Sequence, residues 1–372
     1  MSAPAARMAL IDALKGGASQ LIVLHHLAFY GPMSDTALVL APDLIAWLYD
    51  YGRMAVQVFL VMAGFLAARG LAPTGGLQAE SPLILLGRRY LSLALPFVAA
   101  LLIAIVSAAL ARGLINHDSI PDAPGFAQFL AHSLLLHSIV GADALSAGVW
   151  YVAIDFQLFA LLLGLLYLAR RLGAHWGDAK YLARVLVGAL ACAALFAFNL
   201  DSDLDVWGIY FFGSYGLGVF AYWASQQRHS KWWVLGILIT GLLALLLEYR
   251  LRIAVALLVA VLLAVSHGSR QSLWRPNRLL GWLGQISYSV FLVHFSVCML
   301  VNALVHRIDA ESPVFNLFGM VVAWVLSVAA GALFYRHVES RVRTLHWQAY
   351  LHRRPVALAL AAGVAVVVES LR

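Results

Sequence analysis

The sequence predicts an all-α membrane protein, a polytopic bundle of about ten to eleven transmembrane helices. Of its 372 residues, 63% are hydrophobic and only 12% are charged, and the mean hydropathy is +0.85. Water-soluble domains are not this apolar. Apolar stretches of roughly 18–25 residues recur along the chain, which is the length that a helix needs to cross a bilayer.

Eleven apolar segments are predicted to cross the membrane. They cover residues 9–31, 52–70, 90–112, 149–169, 181–200, 206–225, 232–249, 252–267, 281–305, 314–335 and 355–370. The first is interpreted as a span and not as a signal peptide, because no small-residue cleavage site follows a short apolar core. The last has about 14 apolar residues before Glu369, fewer than the ~20 of a comfortable crossing. It is predicted to be an eleventh span, with an interfacial helix as the alternative.

Basic residues accumulate on one side of this topology. With the N-terminus in the cytoplasm and alternating spans, 19 of the 25 Lys and Arg residues fall in cytoplasmic segments. Because an excess of basic residues marks the cytoplasmic side, the pattern predicts a cytoplasmic N-terminus. The net charge of +7 is therefore attributed to topology, and no nucleic acid partner is expected.

The two cysteines and the histidines between spans offer few other candidate sites. Cys192 and Cys298 both fall in apolar segments, and they give neither a disulfide framework nor a metal-ligand spacing, so no metal is expected. The longest stretch between spans, 113–148, lies on the outer side and is predicted to be interfacial or re-entrant. It contains His117, His132 and His137. An acceptor-site role for these histidines is weighed against interfacial or capping roles, which are favoured.

Lys15 and His26 are the most informative pair of residues. Eleven residues separate them, about three helical turns, so both side chains point to nearly the same face, with His26 roughly 16 Å deeper. An ionisable residue inside a bilayer usually faces the protein interior and marks a functional site. The alternative is a packed histidine and a lysine that extends to the interface.

Lys15 and His26 belong to the first of six short motifs along the chain. The first, IDALKGGASQLIVLHH, contains Asp12, Lys15, Gly16 and His26. The later motifs, in chain order, are VFLVMAGFLAARG with Ala63, Gly64 and Phe65, RRYLSLALPF with Arg88, Arg89 and Pro96, VWYVAIDFQLF with Trp150 and Asp155, ISYSVFLVHF with Ser287, Tyr288 and His294, and RHVES with Glu339.

Together these six motifs resemble the acyltransferase type 3 family of integral membrane proteins, from about Asp12 to Glu339. Each motif alone is weak, but their order and spacing in a chain of about ten spans are specific. Three positions depart from the family pattern, namely Ala63 in place of Ser, Leu93 in place of a further Arg, and Asp155 in place of Glu. The departures affect the expected details of donor or acceptor binding more than the reaction class.

The resemblance implies an O-acetyltransferase-like enzyme. It would move an acyl group, usually acetyl, from cytoplasmic acyl-CoA to a hydroxyl of a glycan or lipid-linked sugar. Acetyl-CoA is then a co-substrate, and no tightly bound cofactor is expected. The expected setting is the bacterial inner membrane, with membrane lipid around the bundle and polysaccharide modification as the outcome. The implied domains are 1–340, the membrane acyltransferase domain, and 341–372, a basic linker with a possible extra span.

Roles for the candidate residues follow from this chemistry. An alcohol attacks a thioester poorly unless a base takes its proton, and His26 is the candidate base. His25, about 100° around the helix, is assigned to packing or a supporting contact. CoA is polyanionic, so Lys15, Arg88 and Arg89 are candidate donor contacts, although topology alone also explains the two arginines.

The other candidates have looser assignments. Asp12 pairs with Lys15 or orients a donor contact. Asp155 orients His26 or a sugar hydroxyl, or is a paired structural carboxylate. Tyr288 or Ser287 is a candidate donor to the oxyanion. Trp150 and His294 are weak acceptor-site candidates, and a structural role is favoured for His294.

The sequence also allows two other functions. One is a secondary transporter or flippase in which buried His and Asp residues relay protons. The other is an inactive relative that acts as an assembly component, against which the presence of both Lys15 and His26 argues.

Overall fold

The computed structural model describes residues 9–226, 230–266 and 277–344. Regular structure in these ranges is helical, without strands, as predicted. The α-helices are α1 (Ala9–Phe29), α2 (Pro32–Ala37), α3 (Pro42–Tyr51), α4 (Ala55–Leu71), α5 (Pro82–Arg112), α6 (Phe126–Ser133), α7 (Val149–Trp176), α8 (Ala179–Phe196), α9 (Gly208–Ser225), α10 (Ser230–Leu247), α11 (Leu251–Ser266), α12 (Arg278–Asp309), α13 (Pro313–Phe334) and α14 (Ser340–Thr344). A π-helical turn over Tyr335–Glu339 joins the last two.

Six helical stretches among the described residues are long and apolar enough to cross a membrane. They are Pro42–Leu71, Pro82–Arg112, Val149–His175, Ala179–Leu200, Arg278–Asp309 and Pro313–Thr344. Two shorter apolar helices cover Lys231–Leu247 and Leu251–Ser266. The helical membrane class is therefore confirmed, while the count of ten to eleven spans stays a prediction. The segment 355–370 lies outside the described residues.

The surfaces of these helices remain strongly apolar. Leu246 is 82% exposed, Leu258 70% and Phe318 62%. A water-soluble protein rarely leaves contiguous large apolar side chains uncovered, whereas lipid tails solvate them readily. These positions therefore have the character of lipid-facing surface.

The helices form two compact units. One unit comprises Val56–Tyr90 and Ile154–Pro276 with the start of the chain through Ile11, and the other comprises Asp12–Ala55, Leu91–Ala153 and the chain from Asn277. We call them the α9 unit and the α12 unit. Both are assembled from discontinuous parts of the chain, and α1, α5 and α7 each contribute residues to both.

In the α12 unit, glycines let α1 and α12 approach closely. A Cβ atom on Gly284 would lie 2.1 Å from the backbone oxygen of Asp12, and one on Gly16 would lie 2.9 Å from the oxygen of Leu280. Gly16 precedes His26 by ten residues, and Gly284 precedes His294 by ten. Since both helices rise about 1.5 Å per residue, this contact aligns the two histidines farther along the pair.

In the α9 unit, α4 and α9 pack in the same way. A Cβ atom on Gly64 would lie 2.0 Å from the oxygen of Tyr215, and one on Gly218 would lie 1.9 Å from the oxygen of Val61. Small residues are what allow membrane helices to bring their backbones together. Phe65, next to Gly64, is fully buried against the ring of Tyr222.

Candidate active site

A pair of buried histidines joins α1 to α12 in the α12 unit. Nδ1 of His26 lies 2.7 Å from Nε2 of His294, a hydrogen bond between residues 268 positions apart. His26 is 8% exposed and His294 is fully buried. The two ring planes are nearly parallel, at 8°, and the ring centroids are 5.0 Å apart. That separation equals the 2.7 Å N···N distance plus roughly the width of one imidazole ring. The hydrogen bond therefore runs nearly along the line between the two ring centres, a favourable geometry.

The other ring nitrogen of His294 faces its own helix. Its Nδ1 lies 2.8 Å from the carbonyl oxygen of Phe291 and 3.1 Å from that of Val290. These carbonyls lie three and four residues earlier on α12, so the contact fixes the ring against the helix backbone. His294 was a weak acceptor-site candidate from its sequence; the structure brings it against the candidate base.

His25 has different surroundings from its neighbour. Its Nδ1 lies 2.9 Å from the carbonyl oxygen of Leu48 in α3, to which it donates. Gly52 makes room for it, since a Cβ atom on Gly52 would lie 2.7 Å from the Cβ of His25. His25 thus ties α1 to α3 through Leu48, and the centroid of its ring lies 5.2 Å from that of the His26 ring.

A glycine turn before α7 lies beside the His26 ring. Gly148 has a positive φ of 77°, a conformation that side-chain-bearing residues avoid. A Cβ atom there would lie 3.0 Å from Cζ of Phe291 and 3.8 Å from Cε1 of His26. A small, mainly apolar cavity adjoins this turn, and its lining includes Phe97, Ser146, Val149 and Phe291. Sequence analysis missed Gly148; its position directly before the VWYV motif was the available signal.

The remaining candidates in the α12 unit lie on the same elements. Asp12 and Lys15 are half-buried in the first turns of α1, and Trp150 is half-buried at the start of α7. The hydroxyl of Tyr288 donates to the backbone oxygen of Leu93 at 3.1 Å, so its proton is engaged by the protein. Its predicted role as oxyanion donor stays a prediction.

Arg88, Arg89 and Asp155 belong to the α9 unit, where both arginines form ion pairs. Arg88 pairs with Glu80, and Arg89 pairs with Asp155 and lies over the ring of Phe159, 5.4 Å from its centroid. The carboxylate of Asp155 is buried. This contact matches the structural alternative for Asp155, and its catalytic role stays a prediction.

Comparison with known proteins gives the family. A family model described as an acyltransferase domain matches residues 8–336, nearly the whole chain. The chain belongs to the acyltransferase 3 family. The resemblance seen in the motifs is thereby confirmed, and the protein is a membrane acyltransferase. No curated protein and no solved structure matches the chain at a significant level.

Several motif residues of this acyltransferase 3 member have packing or pairing functions. Gly16 and Gly64 allow close helix contacts, as described above. Glu339, in the closing motif, is buried in the π-helical turn, where it accepts a hydrogen bond from Ser289 of α12 and pairs with Arg343. Part of the family pattern in this chain therefore maintains helix packing within each of the two units.

Proposed function

We propose that this acyltransferase moves an acyl group, with acetyl the first candidate, from acyl-CoA to a hydroxyl of a glycan or lipid-linked sugar, with His26 as general base. The observation that supports the proposal most directly is the buried imidazole of His26, held on a membrane helix by one hydrogen bond through Nδ1. Its Nε2 has no hydrogen-bond partner among the described residues and is the nitrogen left for a substrate.

The proposed reaction needs one proton acceptor and no redox partner. The acceptor hydroxyl gives its proton to His26 as its oxygen attacks the thioester carbonyl carbon. The carbon–sulfur bond then breaks, and the thiolate leaves and takes that proton. An ester and free CoA are the products, and His26 returns to its starting state.

Donor binding is proposed at the cytoplasmic ends of the helices. CoA carries a 3′-phosphate and a diphosphate, and Lys15, Arg88 and Arg89 are the cations assigned to it, with Asp12 beside Lys15. The two arginine side chains are similarly exposed, at 35% and 31%, but the partner of Arg88, Glu80, is 29% exposed whereas Asp155 is 6% exposed, so Arg88 is the arginine that can more readily exchange its partner for a ligand. Salt screens such contacts, so the affinity for acetyl-CoA should fall as ionic strength rises.

We further propose an orientation of the chain in the membrane and a compartment. The excess of basic residues in alternate loops supports a cytoplasmic N-terminus, and the bacterial inner membrane is the setting that the family resemblance implies. The outer stretch 113–148 and Trp150 are then on the acceptor side. The protein would join a cytoplasmic donor to an acceptor across or within the membrane.

An assay with purified protein in proteoliposomes tests this function. Acetyl-CoA labelled in the acetyl group is added with a glycolipid and polysaccharide extract, and both free CoA thiol and alkali-labile label in the extract are measured. Equal release of CoA and formation of labelled ester, dependent on the extract, is the expected result. Movement of a solute across the vesicle without CoA release would favour the transporter.

A further inference from the structure

The contacts of His294 determine which of its nitrogens carries a proton. Its Nδ1 faces the carbonyl oxygens of Phe291 and Val290, and a carbonyl oxygen only accepts hydrogen bonds. Nδ1 must therefore carry hydrogen. The ring is fully buried and no described carboxylate contacts it, so the neutral form with one N–H is favoured. Nε2 of His294 then has a lone pair and acts as an acceptor.

The same reasoning extends to His26. Because Nε2 of His294 accepts, the 2.7 Å contact requires the hydrogen to lie on Nδ1 of His26. A neutral His26 then has its lone pair on Nε2, which makes no hydrogen bond among the described residues. The chain of hydrogen bonds from the α12 backbone through His294 thus selects one of the two neutral forms of His26.

We propose that His294 is a positioning residue that holds His26 in the Nδ1–H tautomer and so makes Nε2 the basic nitrogen. The inference rests on the proposed function, in which Nε2 receives the hydroxyl proton and later gives it to the departing thiolate. While His26 carries that proton, its Nδ1–H still donates to the lone pair of His294, so the imidazolium keeps a hydrogen-bond acceptor. Orientation of a base by a second group is a recurring arrangement in acyl transfer.

Two substitutions at His294 separate positioning from packing. His294→Phe keeps a planar ring and removes the acceptor, whereas His294→Gln keeps an acceptor oxygen near the position of Nε2. We expect kcat to fall about tenfold to a hundredfold in His294→Phe with little change in KM for acetyl-CoA, and to recover in large part in His294→Gln. Wild-type kcat in a folded His294→Phe protein, or equal losses in both variants, would overturn the proposal.

A spectroscopic measurement tests the tautomer without relying on activity. Nitrogen chemical shifts of ¹⁵N-histidine-labelled wild-type protein in nanodiscs distinguish a protonated from a bare ring nitrogen, and the His26 signal is assigned by its loss in His26→Gln. We expect a protonated Nδ1 and a bare Nε2. A His26 that is protonated on Nε2 contradicts the inference even if the protein is an active acyltransferase. An active His26→Ala protein would instead overturn the proposed function.

Discussion

At the scale of single residues, two adjacent arginines have unequal partners. Arg89 pairs with a carboxylate, that of Asp155, whose side chain is 6% exposed, whereas the Arg88 and Glu80 side chains are 35% and 29% exposed. Loss of one partner of a fully buried pair costs about 3–5 kcal/mol, since the other charge stays buried, and a smaller loss is expected here because the Arg89 side chain is 31% exposed. Exposed pairs contribute about 0–1 kcal/mol. Arg89→Ala should therefore lower the unfolding free energy in detergent much more than Arg88→Ala.

A double substitution is the control for that comparison. Replacing both Arg89 and Asp155 with Leu removes the two charges together, and stability should return close to the wild-type value. Equal stability losses in Arg88→Ala and Arg89→Ala would show that burial of the Asp155 carboxylate is not what distinguishes the two pairs.

His137, in the stretch before α7, predicts a dependence of stability on pH. Its ring stacks on that of His132 with centroids 4.2 Å apart, and neither of its nitrogens has a hydrogen-bond partner in the described part of the chain. Burial, with a further contribution from His132, lowers the pKa of His137 to about 3. In the unfolded chain His137 binds a proton as the pH falls through about 6.5, whereas in the folded protein it stays neutral until about pH 3. The free energy of unfolding therefore decreases as the pH falls from about 6.5 towards 3.

The variant His137→Phe isolates this effect. Unfolding followed by intrinsic fluorescence between pH 7 and 4 should show a smaller acid loss in the variant, by up to about 1.4 kcal/mol per pH unit below 6.5. Identical pH slopes in the two proteins would mean that His137 is protonated in the folded state as readily as in the unfolded chain.

Sequence alone identified His26 as a candidate but did not reveal its partner. The depth of His26 in an apolar segment and its spacing from Lys15 were enough to select it. Its partnership with His294 was not, because 268 positions separate the two and no periodic pattern connects them. For Asp155 the sequence leaves orientation of His26, orientation of a sugar hydroxyl and a paired structural role as alternatives, since a carboxylate in a span needs a partner but the sequence does not say which cation provides it.

At the scale of helices, glycine contacts are expected to set the geometry of the histidine pair. A methyl group on Gly284 would meet the backbone of Asp12 at 2.1 Å, so Gly284→Ala must separate α1 from α12. Activity should fall by at least tenfold, because displacement of reacting groups by about 1 Å costs up to a hundredfold in rate. Gly17→Ala is the matched control, since its Cβ would meet no described atom within 4 Å.

The two glycine variants should differ in stability as well as in rate. Gly17→Ala should be neutral or stabilising by about 0.5–1 kcal/mol, as expected for Gly→Ala in a helix. Acyl transfer and thermal unfolding are measured on both proteins. Full activity of Gly284→Ala would show that close approach of α1 and α12 is not required for catalysis.

Two arginines on the predicted outer side bind the ends of helices. The predicted spans 232–249 and 252–267 place Arg250 and Arg252 at the outer side, against the general basic bias. In the structure Arg250 is buried and donates to the side chain of Asn199 and to the carbonyl oxygens of Leu195 and Ala244. Terminal helix carbonyls need such donors. These contacts join α8 to α10 and depend on the tertiary arrangement, which no single segment reveals.

At the scale of the whole molecule, the sequence predicted the all-helical membrane class, while the count of ten to eleven spans stays a prediction. Hydropathy identified the apolar segments, because a bilayer imposes their length and composition. Helix ends were less accurate: α5 begins at Pro82, not at residue 90, and α7 continues to Trp176, past 169. Those extensions carry polar residues outside the apolar cores that hydropathy detects.

The C-terminal apolar segment decides on which side of the membrane the chain ends. The run PVALALAAGVAVVVESLR is expected to cross the membrane and to leave Arg372 on the outer side. A reporter that is active only in the periplasm, fused after Arg372, should then be active, and one fused after Arg343 should be inactive. Activity of a cytoplasmic reporter after Arg372 would instead give ten spans with both termini inside.

Replacement of His26 is the most direct test of its role as general base. Acetyl transfer from labelled acetyl-CoA is compared in His26→Ala, His25→Ala and wild-type proteins, all purified from membranes with matched unfolding temperatures. We expect His26→Ala to lose about 10²–10⁴-fold in kcat, the range for loss of a general base, while His25→Ala keeps substantial activity. Transfer at the wild-type rate by folded His26→Ala protein would show that His26 is not the general base.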